Sequence, residues 1–226
     1  ICILGDNLTS LSLAKNLVNK KLNVHLIYDK KNKSVSNSSR TIGISQDNID
    51  FFNKKIIKIN SKLLWNINNI EIFSERTTND KIFNFENKDK NLFSIIKNDN
   101  LYNLLNNDLA KNKYFHKKLL IKNLLAKKFW EEYDLVINCD SRNQVSKKFF
   151  SKSLNKDYNN NAYTTIIKHN VFYKNNSAVQ VFTQKGPIAF LPLSNFQTSV
   201  VFSMNSSKDK VDNEKIINLI KKHNFK

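Results

Sequence analysis

The chain has 226 residues, enough for one large domain or two small ones with a proper core, and its 40% hydrophobic content is that of a globular protein. No apolar run approaches the length of a bilayer-spanning helix, and no secretory signal is visible. A net charge of +18 ordinarily raises nucleic acid as a partner, but lysine is scattered along the whole chain beside abundant Asn and Ile, with Gly numbering 3 and Pro 2. That skew reads as AT-rich coding rather than a selected basic face, so no nucleic acid is expected. The densest groups, Lys117, Lys118, Lys122, Lys127 and Lys128, and then Lys147, Lys148 and Lys152, read as solvated faces, with contact to a membrane surface as the alternative.

Ile1 to Leu4 read as a short buried strand that breaks at Gly5, and Leu8, Leu11, Ala14, Leu17 and Val18 then recur on one helical face. A strand, a glycine turn and a helix make a place for phosphate, because unpaired N–H groups and the helix dipole both favour an anion there. The dinucleotide fingerprint is Gly-x-Gly-x-x-Gly, and Gly5, Asn7 and Ser10 occupy its three glycine positions. Leu22 to Tyr28 form the next strand and complete a β-α-β unit that ends at Asp29, 24 residues beyond Gly5. A carboxylate at that place accepts hydrogen bonds from a ribose hydroxyl. The alternative is an aspartate capping a polar turn.

Lys30 to Ser39 are expected to form a polar loop, followed by Arg40, a short apolar run and a helix from Gln46 to Asn53. Ile56 to Leu64 is compatible with helix or strand. Trp65 to Ser74, Lys81 to Phe85 and Leu92 to Lys97 read as strands inserted as hairpins into an α/β plan. Leu101, Leu104, Leu105 and Leu109 have helical spacing, and Phe115 to Trp130 is ambiguous. Tyr133 to Cys139 is a buried strand ending at Asp140, the position at which open α/β sheets bind ligands. From Ala162 to Met204 strands follow one another without helices, the pattern of a mostly antiparallel sheet, and Asp212 to Ile220 is an amphipathic helix.

Cys2 and Cys139 each lie in an apolar run, where a buried structural role in a reducing compartment is expected. The histidines, His25, His116, His169 and His223, have no metal-ligand spacing, so no metal site is expected. No Gly-x-Ser-x-Gly elbow or Walker-type loop points to hydrolase or kinase chemistry.

Several of these stretches together resemble one family, the flavin-dependent aromatic hydroxylases, and within it the ubiquinone-biosynthesis branch. The opening β-α-β unit with Asp29 looks like the family's FAD-binding start. RTIGIS, Arg40 to Ser45, is similar to its Arg-x-x-x-Leu-Ser segment, and IIKNDNLYNLL to its Val-x-Asn-x-x-Leu segment. YDLVINCDSRNQVSKKF resembles its Asp-Leu-Val-x-x-Ala-Asp-Gly-x-x-Ser segment. AVQVFTQKGPIAFLPL, Ala178 to Leu193, resembles the Gly-Pro-x-Ala-x-Leu-Pro-Leu block of the ubiquinone branch and uses both prolines of the chain.

The resemblance implies an α/β fold in which a Rossmann-like FAD-binding domain, 1–70 and 93–154, is interrupted by a mostly antiparallel substrate-binding sheet, 71–92 and 155–226. It implies FAD held by Gly5, Asn7, Ser10, Asp29, Arg40 and Asp140, with the pyrophosphate on the Gly5 to Ser10 turn and Arg40 near the flavin. The implied reaction inserts one oxygen atom of O2 into the aromatic ring of a polyprenylated ubiquinone precursor, with NAD(P)H as electron donor. No residue of the chain is implied as a catalytic acid, base or nucleophile. A membrane surface and other quinone-biosynthesis proteins are further implied partners, and the implied location is the cytoplasm or the face of the inner membrane. The alternatives are a related FAD monooxygenase on another aromatic substrate, and a non-catalytic homologue serving as an assembly subunit.

The chain departs from the family at Asn7 and Ser10, which replace glycines, and at Ser141 and Gln144, which replace the Gly and Ser of the Asp-Gly motif. The family's second flavin motif, a Gly-Asp pair before a glycine-rich loop, would lie beyond Lys226. The chain is therefore expected to be a piece of a longer enzyme.

Overall fold

The computed structural model describes residues 1–29, 40–75, 81–87, 90–120, 129–150, 156, 158–171, 174–205 and 212–224. The loop expected at Lys30 to Ser39, the centre of the ambiguous stretch after Phe115, and Lys122, Lys127, Lys128 and Lys152 lie outside the described residues. In chain order the elements begin with β1 (Cys2–Leu4), α1 (Leu8–Asn19), β2 (Val24–Tyr28), β3 (Thr41–Ser45), α2 (Gln46–Phe51), β4 (Trp65–Ile67) and β5 (Asn69–Ser74). They continue with β6 (Lys81–Glu86), β7 (Phe93–Lys97), α3 (Asn98–Leu109), β8 (Phe115–Leu119), β9 (Val136–Asn138) and α4 (Gln144–Phe149). The last are β10 (Asn160–Lys168), β11 (Ser177–Thr183), β12 (Gly186–Ser194), β13 (Gln197–Asn205) and α5 (Asn213–Lys222). Among the described residues no helix is long and apolar enough to cross a membrane.

The chain divides into two compact units, one of Ile1–Ser38, Asp50–Ile59 and Asn98–Asn155, the other of Ser39–Ile49, Asn60–Lys97 and Lys156–Lys226. The first is a Rossmann-like layer. Its sheet has the order β8-β2-β1-β9 with every pair parallel. Cys2, Ile3 and Leu4 are all buried, as the central strand of a parallel sheet must be. On α1 the buried positions are Ser10, Leu11, Ala14 and Val18, one face at helical spacing. The burial of Cys2 pushes its thiol up to about 11, which leaves it inert.

The second unit is built on a six-stranded sheet of order β10-β13-β12-β11-β5-β6, antiparallel except where β5 runs parallel to β11. One face packs Val179, Val181, Phe190, Val200 and Phe202 against Ile216 and Ile220 of α5. A three-stranded sheet, β3-β7-β4, completes the unit and shares a small core of Ile67, Ile95 and Ala178. Strand β6 is an edge strand, and its Ile82, Phe83 and Phe85 are all exposed, with the two phenylalanine rings stacked at 6.2 Å.

Several elements differ from the pattern reading. Trp65 to Ser74 is two strands, split at Asn68, that belong to different sheets, and the apolar alternation changes phase there, from Trp65 and Ile67 to Ile70 and Ile72. The helix expected over 46–53 ends at Phe51 and widens into a π turn, Phe52–Ile56. The strand expected from Tyr133 narrows to Val136–Asn138, and Phe115–Leu119 is a strand.

The GPIAFLPL block becomes β12. Gly186 has φ +130° at the β11–β12 turn, and a Cβ there would stand 2.0 Å from the carbonyl oxygen of Ser203 on β13. Pro187 is the second residue of the strand, and Pro192 borders the register shift with β13, two places at which a strand tolerates a missing N–H. By contrast, Lys21, Asn159 and Lys174 carry positive φ at turns where glycine is the usual choice.

Two histidines, His25 half-buried and His223 buried, make stability depend on pH. His25 on β2 bonds Tyr133 Oη through Nδ1 at 2.9 Å, and burial, then Lys118 and His116, holds its pKa below the ordinary value. His223 is 6% exposed, and burial lowers its pKa against an opposing pull from Glu75, whose Oε1 is 3.6 Å away. Glu75 itself is held low by the Gln184 amide and Lys222.

Two outcomes are expected. Replacing Gly186 by Ala forces a backbone shift at a strained φ and lowers the unfolding free energy by about 3 kcal/mol, read from the urea midpoint. Because both histidines bind a proton less readily when folded than when unfolded, where they titrate near about 6.5, stability falls as pH drops through that value. Thermal melting between neutral and mildly acidic pH shows the fall, and a His25→Gln/His223→Gln variant flattens it. Glu75 adds a further loss only at lower pH, below the ordinary carboxylate range.

Candidate functional site

The site lies at the carboxyl ends of the parallel strands, where each chain segment leaves the sheet. Leu4, Gly5, Asp6, Ile27, Tyr28, Asp29, Leu120, Asp140 and Asn143 line one cleft with an enclosed volume of about 20 Å3, the room of a single water molecule. Gly5, Asp29 and Asp140 are therefore brought together. Gly5 has φ +119°, and a Cβ on it would meet the Asp140 Cβ at 3.2 Å, so glycine lets the β1 end close onto the β9 end. Arg40 belongs to the second unit, is exposed just before β3, and is not among the walls of the cleft.

Asn7 and Ser10 close the turn on itself. Asn7 is the N-cap of α1 in extended conformation, and its Oδ1 accepts from the Ser10 N–H at 3.0 Å. Ser10 Oγ accepts from the Asn7 N–H at 2.9 Å and donates to the Asn7 carbonyl at 2.8 Å. This is a capping box with serine at the third helical position. The Asn7 Nδ2 donates to the Cys139 carbonyl at 2.8 Å, tying the helix start to the end of β9. Ser10 is fully buried, yet as a hydrogen-bonded partner of the cap it fits between helix and strand. Of the first four amides, those of Asn7 and Ser10 are used internally. Among the described residues, those of Leu8 and Thr9 are left for an anion.

Asp6, between the two fingerprint positions, is the most buried charge of the site, with 4% of its side chain exposed. Its Oδ1 accepts from Lys117 Nζ at 2.8 Å and Tyr102 Oη at 2.7 Å, while Oδ2 is buried without a hydrogen-bond partner among the described residues. Lys117 Nζ also donates to Asn106 Oδ1 at 2.9 Å and lies 5.1 Å from the Tyr28 ring centroid and 5.5 Å from that of Tyr102. Burial first, then the bond to Asp6, pushes the Tyr102 phenol well above its ordinary value, so it stays protonated as a donor. Lys117 was expected on a solvated face. It instead joins β8 and α3 to the glycine turn, because the two-residue period of β8 puts it on the same face as buried Phe115. Lys118, Lys147 and Lys148 are exposed.

At the β9 end, the residues replacing the family's Asp-Gly segment form their own network. Asn143 is the N-cap of α4 and accepts from the Ser146 N–H at 2.9 Å, and its Nδ2 donates to Asn138 Oδ1 at 2.7 Å. Ser146 Oγ donates to the Asp140 carbonyl at 2.7 Å, and Asp140 Oδ1 accepts from the Arg142 N–H at 2.9 Å. Sequence reasoning missed Asp6, Lys117, Tyr102 and Asn143. Only Asn143 carried a local signal, an Asn three residues before a Ser at a helix start.

No protein-family model matches the chain, and no curated protein matches it in sequence. Solved structures do match. The p-nitrophenol 4-monooxygenase PnpA of Pseudomonas putida DLL-E4 superposes with a TM-score of 0.71 at 12% identity, covering 97% of this chain and 60% of its own. PqsL of Pseudomonas aeruginosa, a probable FAD-dependent monooxygenase, matches at 0.66 with 9% identity over 97% of this chain and 62% of its own. The chain has the fold of the FAD-dependent monooxygenases. A geranylgeranyl bacteriochlorophyll reductase-like protein of Thermoplasma acidophilum shares that fold, at 0.70 with 14% identity over 98% of this chain and 61% of its own. The chain spans about three-fifths of the length of these structures.

Within the monooxygenase fold, the cleft can be compared with what FAD requires. Asp29, at the end of β2, lines the cleft with Gly5, where a ribose would meet a carboxylate. A pyrophosphate on Gly5 and the start of α1 would need Asn7 to give way, because its carboxamide holds the Ser10 N–H of that turn and the Cys139 carbonyl beside it. Lys117 neutralises Asp6, so the turn is not a bare carboxylate facing an anion.

Replacing Lys117 by Met is expected to lower the unfolding free energy by about 3–5 kcal/mol, since it leaves a buried carboxylate uncompensated. Adding Asp6→Asn to that variant restores most of the loss in urea denaturation.

Proposed function

We propose that this chain is the FAD-binding and substrate-sheet portion of a FAD-dependent monooxygenase that hydroxylates the aromatic ring of a polyprenylated ubiquinone precursor. The observation that carries the reading is the cleft itself: Gly5, Asp29 and Asp140 converge at the ends of β1, β2 and β9 in a chain with the monooxygenase fold. In that cleft Asp29 would take the adenosine ribose, and the turn from Gly5 to Ser10 the pyrophosphate. When bound, FAD supplies the activation of O2, with electrons drawn from NAD(P)H. This chain's own contribution is to bind and orient the cofactor and to offer an apolar sheet face for the ring and its tail.

The ubiquinone precursor is favoured by the GPIAFLPL block, which forms β12 at the centre of the six-stranded sheet. The resemblance to the ubiquinone branch is what favours a membrane surface as a partner, with the protein peripheral on the inner membrane beside other quinone-biosynthesis proteins. A second reading, a non-catalytic assembly subunit, is favoured by one observation: the Asn7–Ser10 box already uses two amides of the phosphate turn.

The full-length protein is expected to purify yellow, and a deletion strain to lose ubiquinone and accumulate a prenylated precursor lacking one ring hydroxyl. A colourless protein not stabilised by FAD against heating supports the assembly reading instead. Unchanged ubiquinone in the deletion strain removes the substrate assignment.

A further inference from the structure

The glycine turn is closed by its own side chains. Asn7 Oδ1 holds the Ser10 N–H, Ser10 Oγ holds the Asn7 N–H, and Asn7 Nδ2 reaches across to the Cys139 carbonyl beside Asp140. These bonds occupy the end of a 12-residue helix at which a diphosphate would gather amides. The cleft beside them has room for about one water molecule. A phosphate turn in which side chains already hold two of the amides describes a latch.

We propose that Asn7 is a latch on the diphosphate subsite: its carboxamide occupies the place of the phosphate, and the cofactor binds only as Asn7 swings out of the capping box. This rests on the FAD reading. The exchange is energetically open. The bonds Asn7 gives up are neutral, each worth about 1 kcal/mol net. A hydrogen bond from the freed Ser10 N–H to a phosphate is charge-assisted and roughly twice as strong. The latch therefore weakens diphosphate binding without forbidding it. Because Nδ2 grips the Cys139 carbonyl, release of the latch also frees the end of β9 next to Asp140, so the two sides of the cleft open together.

The test compares the full-length protein with Asn7→Gly and Asn7→Asp variants, measuring the dissociation constants of FAD, ADP and adenosine by calorimetry and the ligand-free melting temperature. Glycine removes the carboxamide at little cost to the helix, and aspartate keeps the cap while adding negative charge and losing the Nδ2 donor. The expected order of affinity for FAD and ADP is Gly tightest, then Asn, then Asp, with the Gly variant gaining about tenfold or more, and adenosine affinity unchanged. FAD and ADP binding by wild type that Asn7→Gly leaves equal or weakens overturns the latch and leaves the FAD reading standing. A tightening that extends equally to adenosine also overturns it, since the effect would not lie at the diphosphate. If neither wild type nor Asn7→Gly binds FAD or ADP, while Asn7→Asp melts near wild type, the FAD reading falls and the latch with it.

Discussion

The first unit depends on one buried charge and its neutralisation. Asp6 sits at the junction of β1 and α1, almost fully enclosed, and a carboxylate there is tolerable only because Lys117 comes to meet it from β8. That single requirement ties three separate stretches together: the turn, the α3 helix through Tyr102 and Asn106, and the edge strand β8. It also fixes the sign of the cleft. The Asp6 charge at the turn is balanced by Lys117, and the carboxylates of Asp29 and Asp140 also line the cleft.

The parts of this arrangement that could be read from sequence are those that local patterns report. Gly5, Asp29 and Asp140 each mark the place where an apolar strand ends, and in a parallel sheet such ends converge, so the pattern of runs alone brings them to one edge. The change from alternating helices and strands to strands alone after Ala162 likewise foretells an antiparallel sheet. Lys117 was not legible in the same way. Its partner is 111 positions away, and a lysine among lysines gives no hint that one of them turns inward. The division of Trp65 to Ser74 left a local trace, the change of phase at Asn68 and Asn69, but alternation reports which way a side chain points and not which neighbour the strand will find.

Asn7 occupies an intermediate position. Its departure from glycine was plain, and Asn with Ser three residues later is a recognisable helix start. Only the structure joins the two facts, by showing that the same side chain caps the helix and reaches across to the end of β9. The chain's use of glycine follows a related logic. Turns at Lys21, Asn159 and Lys174 accept a side chain in a left-handed conformation, whereas Gly5 and Gly186 lie against backbone or Cβ atoms in the neighbouring strand and cannot. In a chain this poor in glycine, the survivors mark close approaches rather than flexible loops.

Strand β6, the exposed aromatic edge of the large sheet, has a consequence in time. Its only strand partner among the described residues, β5, is held on the other side by β11, whose Ser177 lies 108 positions after Asn69. During synthesis the β5–β6 hairpin leaves the ribosome long before β11 exists, and at ordinary elongation rates it waits roughly 5–20 s for its neighbour. For that interval both sides of the hairpin are unpaired, with Ile82, Phe83 and Phe85 available to any passing apolar surface. Shielding of this early hairpin while it waits is therefore a requirement on folding separate from the stability of the finished sheet. Slower growth or chaperone capacity acts on that step.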